Sequence, residues 1–294
     1  MFYLFATILL NVLISVLFKL FPKYGINGLQ AIVFNYITCV VTGSVFIGSF
    51  PIAAQSLSKP WLLWAALSGA MFISVFNLLA YCTARNGITT STIANKLSLV
   101  IPVAFSLLLY KEHASAARLA GLVLALPAVY LVTRAKEEGH QHQNIFWTVL
   151  LFAGSGLLDT LVKYTERQFL ADNAEAGVYT IHVFAVAALL GSMLIFILTA
   201  SGKVKLHWKN VLAGIVLGIP NYFSIYYFIC FLHSNVMQSS AAIPVNNIGI
   251  VVASAITAIL LFREKPDKYR IIGLVLAVLS ILLIAYQDLN GRGI

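Results

Sequence analysis

Apolar stretches of about 20 residues recur from one end of this chain to the other, each long enough to cross about 30 Å of hydrocarbon, and that recurrence leaves few folds open. The spans fall at approximately 2–20, 28–49, 60–83, 88–110, 115–133, 145–168, 177–200, 208–232, 236–262 and 269–287. A backbone inside lipid must satisfy its own hydrogen bonds, so the expected fold class is an all-α polytopic membrane protein with ten transmembrane helices. Composition agrees: 60% of the 294 residues are hydrophobic and 10% are Asp, Glu, Lys or Arg, where a soluble domain carries roughly 25% charged residues. In such a chain the net charge of +9 reports loop orientation and contact with anionic membrane lipid, and no nucleic-acid partner is expected. The opening MFYLFATILL lacks a basic n-region and reads as a first transmembrane helix, not a removable signal peptide.

The least membrane-like internal stretch is Arg134-Ala-Lys-Glu-Glu-Gly-His-Gln-His-Gln-Asn144, close to the middle of the chain. It divides a first five-helix unit, 1–137, from a second, 145–294, with 138–144 as polar linker. The halves match. A shift of 152 lays Leu108-Leu-Tyr-Lys-Glu112 over Leu260-Leu-Phe-Arg-Glu264, Gly121-Leu-Val-Leu-Ala125 over Gly273-Leu-Val-Leu-Ala277, and Asn95 over Asn247. A shift of 144 pairs Asn11, Ser15 and Lys19 with Ser155, Asp159 and Lys163, and a shift of 149 pairs Ala65 and Gly69 with Gly214 and Gly218. Because five is odd, two consecutive copies enter the membrane from opposite sides, which makes the expected architecture a 5+5 inverted repeat of the kind that builds secondary transporters.

The paired hydrophobic-basic-Glu turns leading into Gly121 and Gly273, with Gly218-Ile-Pro-Asn-Tyr-Phe-Ser224 and Ser239-Ser-Ala-Ala-Ile-Pro244, resemble the EamA-like bacterial branch of the drug/metabolite transporter superfamily. The resemblance implies a central cavity lined mainly by helices 1, 3, 4, 6, 8 and 9 and transport of small metabolites without ATP. It does not mark a substrate.

Intramembrane charge is the strongest functional signal, since a charged side chain at a helix centre costs about 2.5–3.5 kcal/mol on insertion scales. Lys96 lies eight residues into the fourth helix, roughly 12 Å deep at 1.5 Å per residue, and reads as a cation for a substrate carboxylate or phosphate. Asp159 is the acidic residue placed deep in a span; it either pairs with Lys163 one turn on or faces Lys96 across the cavity. Lys19 and Lys163 lie near helix ends and read as interfacial anchors. Ser74, Asn77, Tyr81 and Arg85 recur at helical spacing, as do Asn221, Ser224 and Tyr227, so each set shares one face. Asn246 and Asn247 follow Pro244, whose missing N–H frees a carbonyl. The candidate substrate-binding set is therefore Lys96, Asn95, Asn77, Tyr81, Asp159, Asn221, Tyr226, Tyr227, Asn246 and Asn247.

Lys111-Glu112 and Arg263-Glu264 read as turn and capping residues, and the small-xxx-small pairs Ala65/Gly69 and Gly214/Gly218 as close helix packing. Cys39, Cys82 and Cys230 sit singly in apolar stretches and read as core, with no metal site. No HExxH, GxSxG, Walker A or paired-carboxylate motif is present, so neither an enzyme nor a cofactor is expected. The favoured function is an alternating-access carrier of an amino acid or similar zwitterion, exporter-like, with protons as the candidate coupling ion, in the plasma or inner membrane. Carriage of anionic or phosphorylated metabolites or of drugs is the alternative, with a lipid flippase or membrane enzyme from another class; oligomeric state is open. Six Lys and Arg residues fall on the side of the termini (Lys59, Lys111, Arg118, Lys163, Arg167, Arg292) against twelve on the other. The positive-inside rule then puts both termini outside the cytoplasm, and the family resemblance implies the reverse.

Overall fold

The computed structural model describes residues 2–52, 56, 58–109, 115–134, 145–170, 173–233, 239–264 and 267–289. Among these residues there are helices and no strands. The order is α1 (Phe2–Leu20), α2 (Gly28–Ile47), α3 (Leu62–Asn86), α4 (Ile88–Leu97), α5 (Val100–Leu109), α6 (Ala116–Arg134), α7 (Ile145–Phe169), α8 (Asn173–Ala200), α9 (Trp208–His233), α10 (Ser239–Phe262) and α11 (Lys268–Leu289). Nine described segments are long and apolar enough to span a membrane, the pair α4–α5 supplying one of them over Ile88–Phe105, and Ala116–Val132 is a shorter apolar helix. The outer surface is as greasy as the core, with Val45 76% and Phe196 74% exposed, as expected where lipid is the solvent. The polar linker 138–144 lies outside the described residues.

One expected helix is not continuous. The sequence predicts a single span over 88–110, but the chain breaks at Ser98–Leu99 into α4 and α5. Pro102 accounts for it: the proline has no N–H for the Ser98 carbonyl and its ring crowds that carbonyl. The Ser98 carbonyl accepts instead from the Ile101 N–H at 2.9 Å, a tighter three-residue turn.

Packing follows the repeat. Helix α6 packs along α11; α3 packs on α8 as α2 does on α9, and α4 meets α7 as α10 meets α1. The glycines show the exchange atom by atom. A Cβ on Gly121 would lie 2.8 Å from the Ser280 carbonyl oxygen and 2.8 Å from Ile284, and one on Gly273 would lie 3.1 Å from the Ala128 carbonyl oxygen and 2.8 Å from Val132. Shifting Gly121, Ala128 and Val132 by 152 gives Gly273, Ser280 and Ile284, so each contact is the other's mate. Gly69 and Gly218 make comparable close approaches between the halves: a Cβ on Gly69 would lie 2.7 Å from Val186 of α8, and one on Gly218 would lie 2.6 Å from Thr38 of α2. These small residues let two backbones meet where no hydrophobic force draws helices together. A two-fold relation between the halves therefore holds for the contacts, not only for the sequence.

With α4 and α5 counted as one span, successive spans run antiparallel, so one end of the bundle carries the start of α1 and the end of α11, and the other carries Lys19, Lys23, Arg85, Lys203, Lys205, Lys209, Arg263, Lys268 and Arg270, hereafter the basic end.

Candidate functional site

Between the halves lies a cavity of about 150 Å³. Its walls come from α1 (Asn11, Ile14, Ser15), α3 (Phe72, Val75, Phe76, Leu79), α4 (Thr92, Asn95, Lys96), α7 (Ser155, Leu158, Asp159), α9 (Asn221) and α10 (Ile250). One half of the lining is apolar, the other carries hydrogen-bonding groups and two opposite charges, the usual make-up of a small-ligand site.

Most of the neutral polar groups are held by a neighbour. Asn95 donates from Nδ2 to Ser155 Oγ at 2.9 Å, tying α4 to α7 beside both charges. Ser98, at the helix break, donates to the Asn95 carbonyl at 2.5 Å, and its hydroxyl also neighbours the Asp159 carboxylate. Asn221 donates to Asn35 Oδ1 at 3.1 Å, and the Ser224 hydroxyl donates back to the Asn221 carbonyl at 2.8 Å. On α1, Asn11 donates to the Thr7 carbonyl at 2.9 Å and Ser15 to the Asn11 carbonyl at 3.2 Å. Lys96 and Asp159 interact electrostatically across the cavity, yet no ion pair of 4.0 Å or less joins them among the described residues. Two unlike charges in low dielectric that do not neutralise each other directly are placed to receive complementary groups from a guest.

Four of the ten candidate residues thus converge: Asn95, Lys96, Asp159 and Asn221. Asp159 faces Lys96 and not Lys163, which is exposed further along α7. The other six stand elsewhere. Tyr81 lines a separate apolar groove of about 710 Å³ between α3 and α7, with Leu67, Met71, Ser74, Trp147 and Leu150 among its walls. Ser74 lines that groove with Tyr81, while Asn77 lines neither cavity; both satisfy themselves within α3, Ser74 donating to the Ala70 carbonyl and Asn77 to the Ile73 carbonyl, each at 2.8 Å. Tyr226 packs on Phe46 with ring centroids 4.5 Å apart, and Tyr227 lies between Phe2, Tyr3 and Phe223. Asn246 is buried with an unbonded Oδ1 and, like Asn247, is not in the cavity wall.

Sequence reasoning missed Asn11, Ser15 and Ser155 as site residues, though the shift of 144 that pairs them with each other and with Asp159 was their signal. Thr92 is the α4 turn before Lys96 and repeats its face.

Residues 145–286 match the model of the EamA-like transporter family, a part of the drug/metabolite transporter superfamily. An uncharacterized protein of Haemophilus influenzae is 28% identical over 296 residues, covering 97% of this chain and 98% of that one. A crystal structure at 15% identity superposes with a TM-score of 0.58 over 96% of this chain and 98% of its own, a likeness of fold alone.

Proposed function

This chain belongs, through its second half, to the EamA-like transporter family and is a multi-pass membrane transporter, and from that premise we propose that it carries a small zwitterion, an amino acid in chemistry, through the Lys96–Asp159 cavity. The observation that carries the reading is one cavity lined by a cationic and an anionic side chain that are not in direct contact. A carboxylate meets Lys96 and the neighbouring Asn95 amide; an ammonium meets Asp159. Such charge-assisted hydrogen bonds are roughly twice as strong as neutral ones. Size points the same way, because a cavity of about 150 Å³ takes a guest of benzene's bulk, which suits a small amino acid better than a phosphorylated sugar.

Transport proceeds by alternating access: the two halves, 1–137 and 145–294, exchange conformations about the midplane so that the cavity opens to one face and then the other. The paired glycine contacts of the two halves support this. No ATP-binding motif is present in the sequence, so gradients set direction, export being the favoured sense. Asp159 is the group suited to carry a coupled proton when no ammonium occupies it. The excess of Lys and Arg at the basic end supports a cytoplasmic basic end in the plasma or inner membrane. A carrier of phosphorylated anions would need Lys96 and not Asp159, so Asp159 decides between the two. A thermal-shift screen of purified protein against amino acids, phosphorylated metabolites, sugars and cationic drugs, repeated on Lys96→Ala and Asp159→Asn, tests the assignment. Stabilisation by amino acids that disappears in both variants is expected; stabilisation by anions that survives Asp159→Asn overturns it.

A further inference from the structure

Glu264 lies two residues past the end of α10 and, although expected at a turn near the membrane surface, is buried. The chain leaves α10 through Arg263 at φ +52°, an uncommon conformation for a residue with a side chain, and the Glu264 N–H donates to the Ala258 carbonyl at 3.1 Å. That turn aims the carboxylate back into the bundle. There it accepts from the Ile88 N–H at 3.0 Å and from the Thr89 hydroxyl at 3.4 Å, capping the start of α4 from another half of the molecule. Arg270 Nη1 of α11 lies 3.4 Å away and Lys19 Nζ of α1 lies 3.7 Å away. One carboxylate therefore fastens α1, α4, α10 and α11 together. Lys19 accordingly belongs to this cluster, with only 16% of its side chain exposed, and is not a simple headgroup anchor.

Position gives the cluster its meaning. Lys19 is one turn beyond Ser15 on α1, and Thr89 is one turn before Thr92 on α4, both on the side of the basic end. The cluster thus roofs the cavity there, and the helix it caps is the one that carries Asn95 and Lys96. The same residue types recur in sequence at Lys163, Glu112 and Arg118, under shifts of 144, 152 and 152. We propose that Glu264 is a positioning residue for transport: it latches the cavity shut toward the basic end and sets the α4 helix, with Lys96, for substrate. Building on the alternating-access reading above, release of this latch is the step that opens the cavity to the basic end.

The test is directional accessibility. In a chain whose three cysteines are replaced by alanine, Leu79→Cys places a thiol in the cavity wall on α3. A membrane-impermeant maleimide is applied to vesicles of both orientations, and a control Ser201→Cys, exposed in the turn after α8, identifies which presents the basic end. With Glu264→Gln and Glu264→Ala, labelling from the basic end is expected to rise at least about fivefold, with a matching fall from the opposite end. Where Glu264→Ala does not fold, Glu264→Gln and Arg270→Gln decide. Unchanged labelling from the basic end, or an equal rise from both ends with a lowered Tm, overturns the latch, since a merely structural residue loosens the bundle without direction. A rise at the basic end without the opposite fall keeps the latch and removes the alternating-access reading instead.

Discussion

Helices α4 and α7 meet along one side of the cavity, and α10 and α1, their equivalents under the repeat, meet along another. The first interface holds Lys96, Asp159 and the Asn95–Ser155 hydrogen bond. At the corresponding positions of the second stand Ile248, Ser15, Asn247 and Asn11. Ile248 packs against the apolar cluster around Val251 and Ala277, and Asn11 bonds within its own helix. The frame is two-fold, the charge is not. A symmetric frame lets the two end states of a carrier have similar energies, because each half then does what the other did before. On the proposed reading, unequal charge would give a zwitterion a single orientation and one interface to bind, which makes the α4–α7 seam the proposed working one and the α1–α10 seam its uncharged counterpart.

The sharpest way to break this comparison is to discharge the working seam. Lys96→Ala is expected to lower substrate transport by two orders of magnitude or more, in line with the roughly 2–5 kcal/mol lost when one partner of a buried charge pair is removed. Tm should hold or rise without ligand, since an intramembrane charge has gone. Transport within about threefold of the parent, measured in reconstituted vesicles, would return the site to some other part of the cavity. Asp159→Asn comes next, expected to weaken apparent substrate affinity by about 10–100-fold. In the Lys96→Ala background the same change should add little, because both residues act on one bound molecule. Equal, additive losses would show two separate sites.

Much of the frame was legible before any coordinates. Apolar run length decides a membrane span almost alone, and glycines such as Gly121 and Gly273 announce themselves because their contacts are with backbone, which no side chain can accommodate. The break at Ser98–Leu99 was not seen, since hydropathy runs unbroken through it; Pro102 was the signal, and its effect depends on the carbonyl four residues earlier. The polar stripe on α3 misled for a different reason. Helical spacing shows that Ser74, Asn77 and Tyr81 share a face but not what the face meets; Ser74 and Tyr81 line an apolar groove, which a hydroxyl bonded to the carbonyl one turn back tolerates. Least legible was Glu264, whose partners lie on α1, α4 and α11; only folding brings them within 4 Å.

A smaller effect sharpens the comparison from the neutral side. Ser15 is the mate of Asp159 and lines the same cavity, so Ser15→Asp places a second carboxylate where Lys96 can feel it. Apparent affinity for the substrate is expected to fall by about threefold to tenfold as the new anion competes for the lysine, roughly 0.7–1.4 kcal/mol at 1.4 kcal/mol per tenfold. In the Lys96→Ala background the substitution should leave the residual transport unchanged. A loss there as well would mean that Ser15 touches substrate itself, and the two seams would be more alike than their charges suggest.

The smallest effects test the frame, away from both seams. Gly121 and Gly273 hold the same two helices, α6 and α11, from opposite sides. An alanine at Gly121 meets backbone on two sides, the Ser280 carbonyl oxygen at 2.8 Å and the Ile284 nitrogen at 2.9 Å, whereas at Gly273 the backbone atoms stand at 3.1 Å. Both variants should lose about 1–3 kcal/mol of stability as an overpacked contact, Gly121→Ala the more, with transport by the folded protein retained. Because either alanine forces the same pair of helices apart, the double variant should cost less than the two single losses together. Strict additivity in thermal unfolding would mean that the two glycines act on separate contacts, and the two-fold pairing of the halves would then rest on sequence alone.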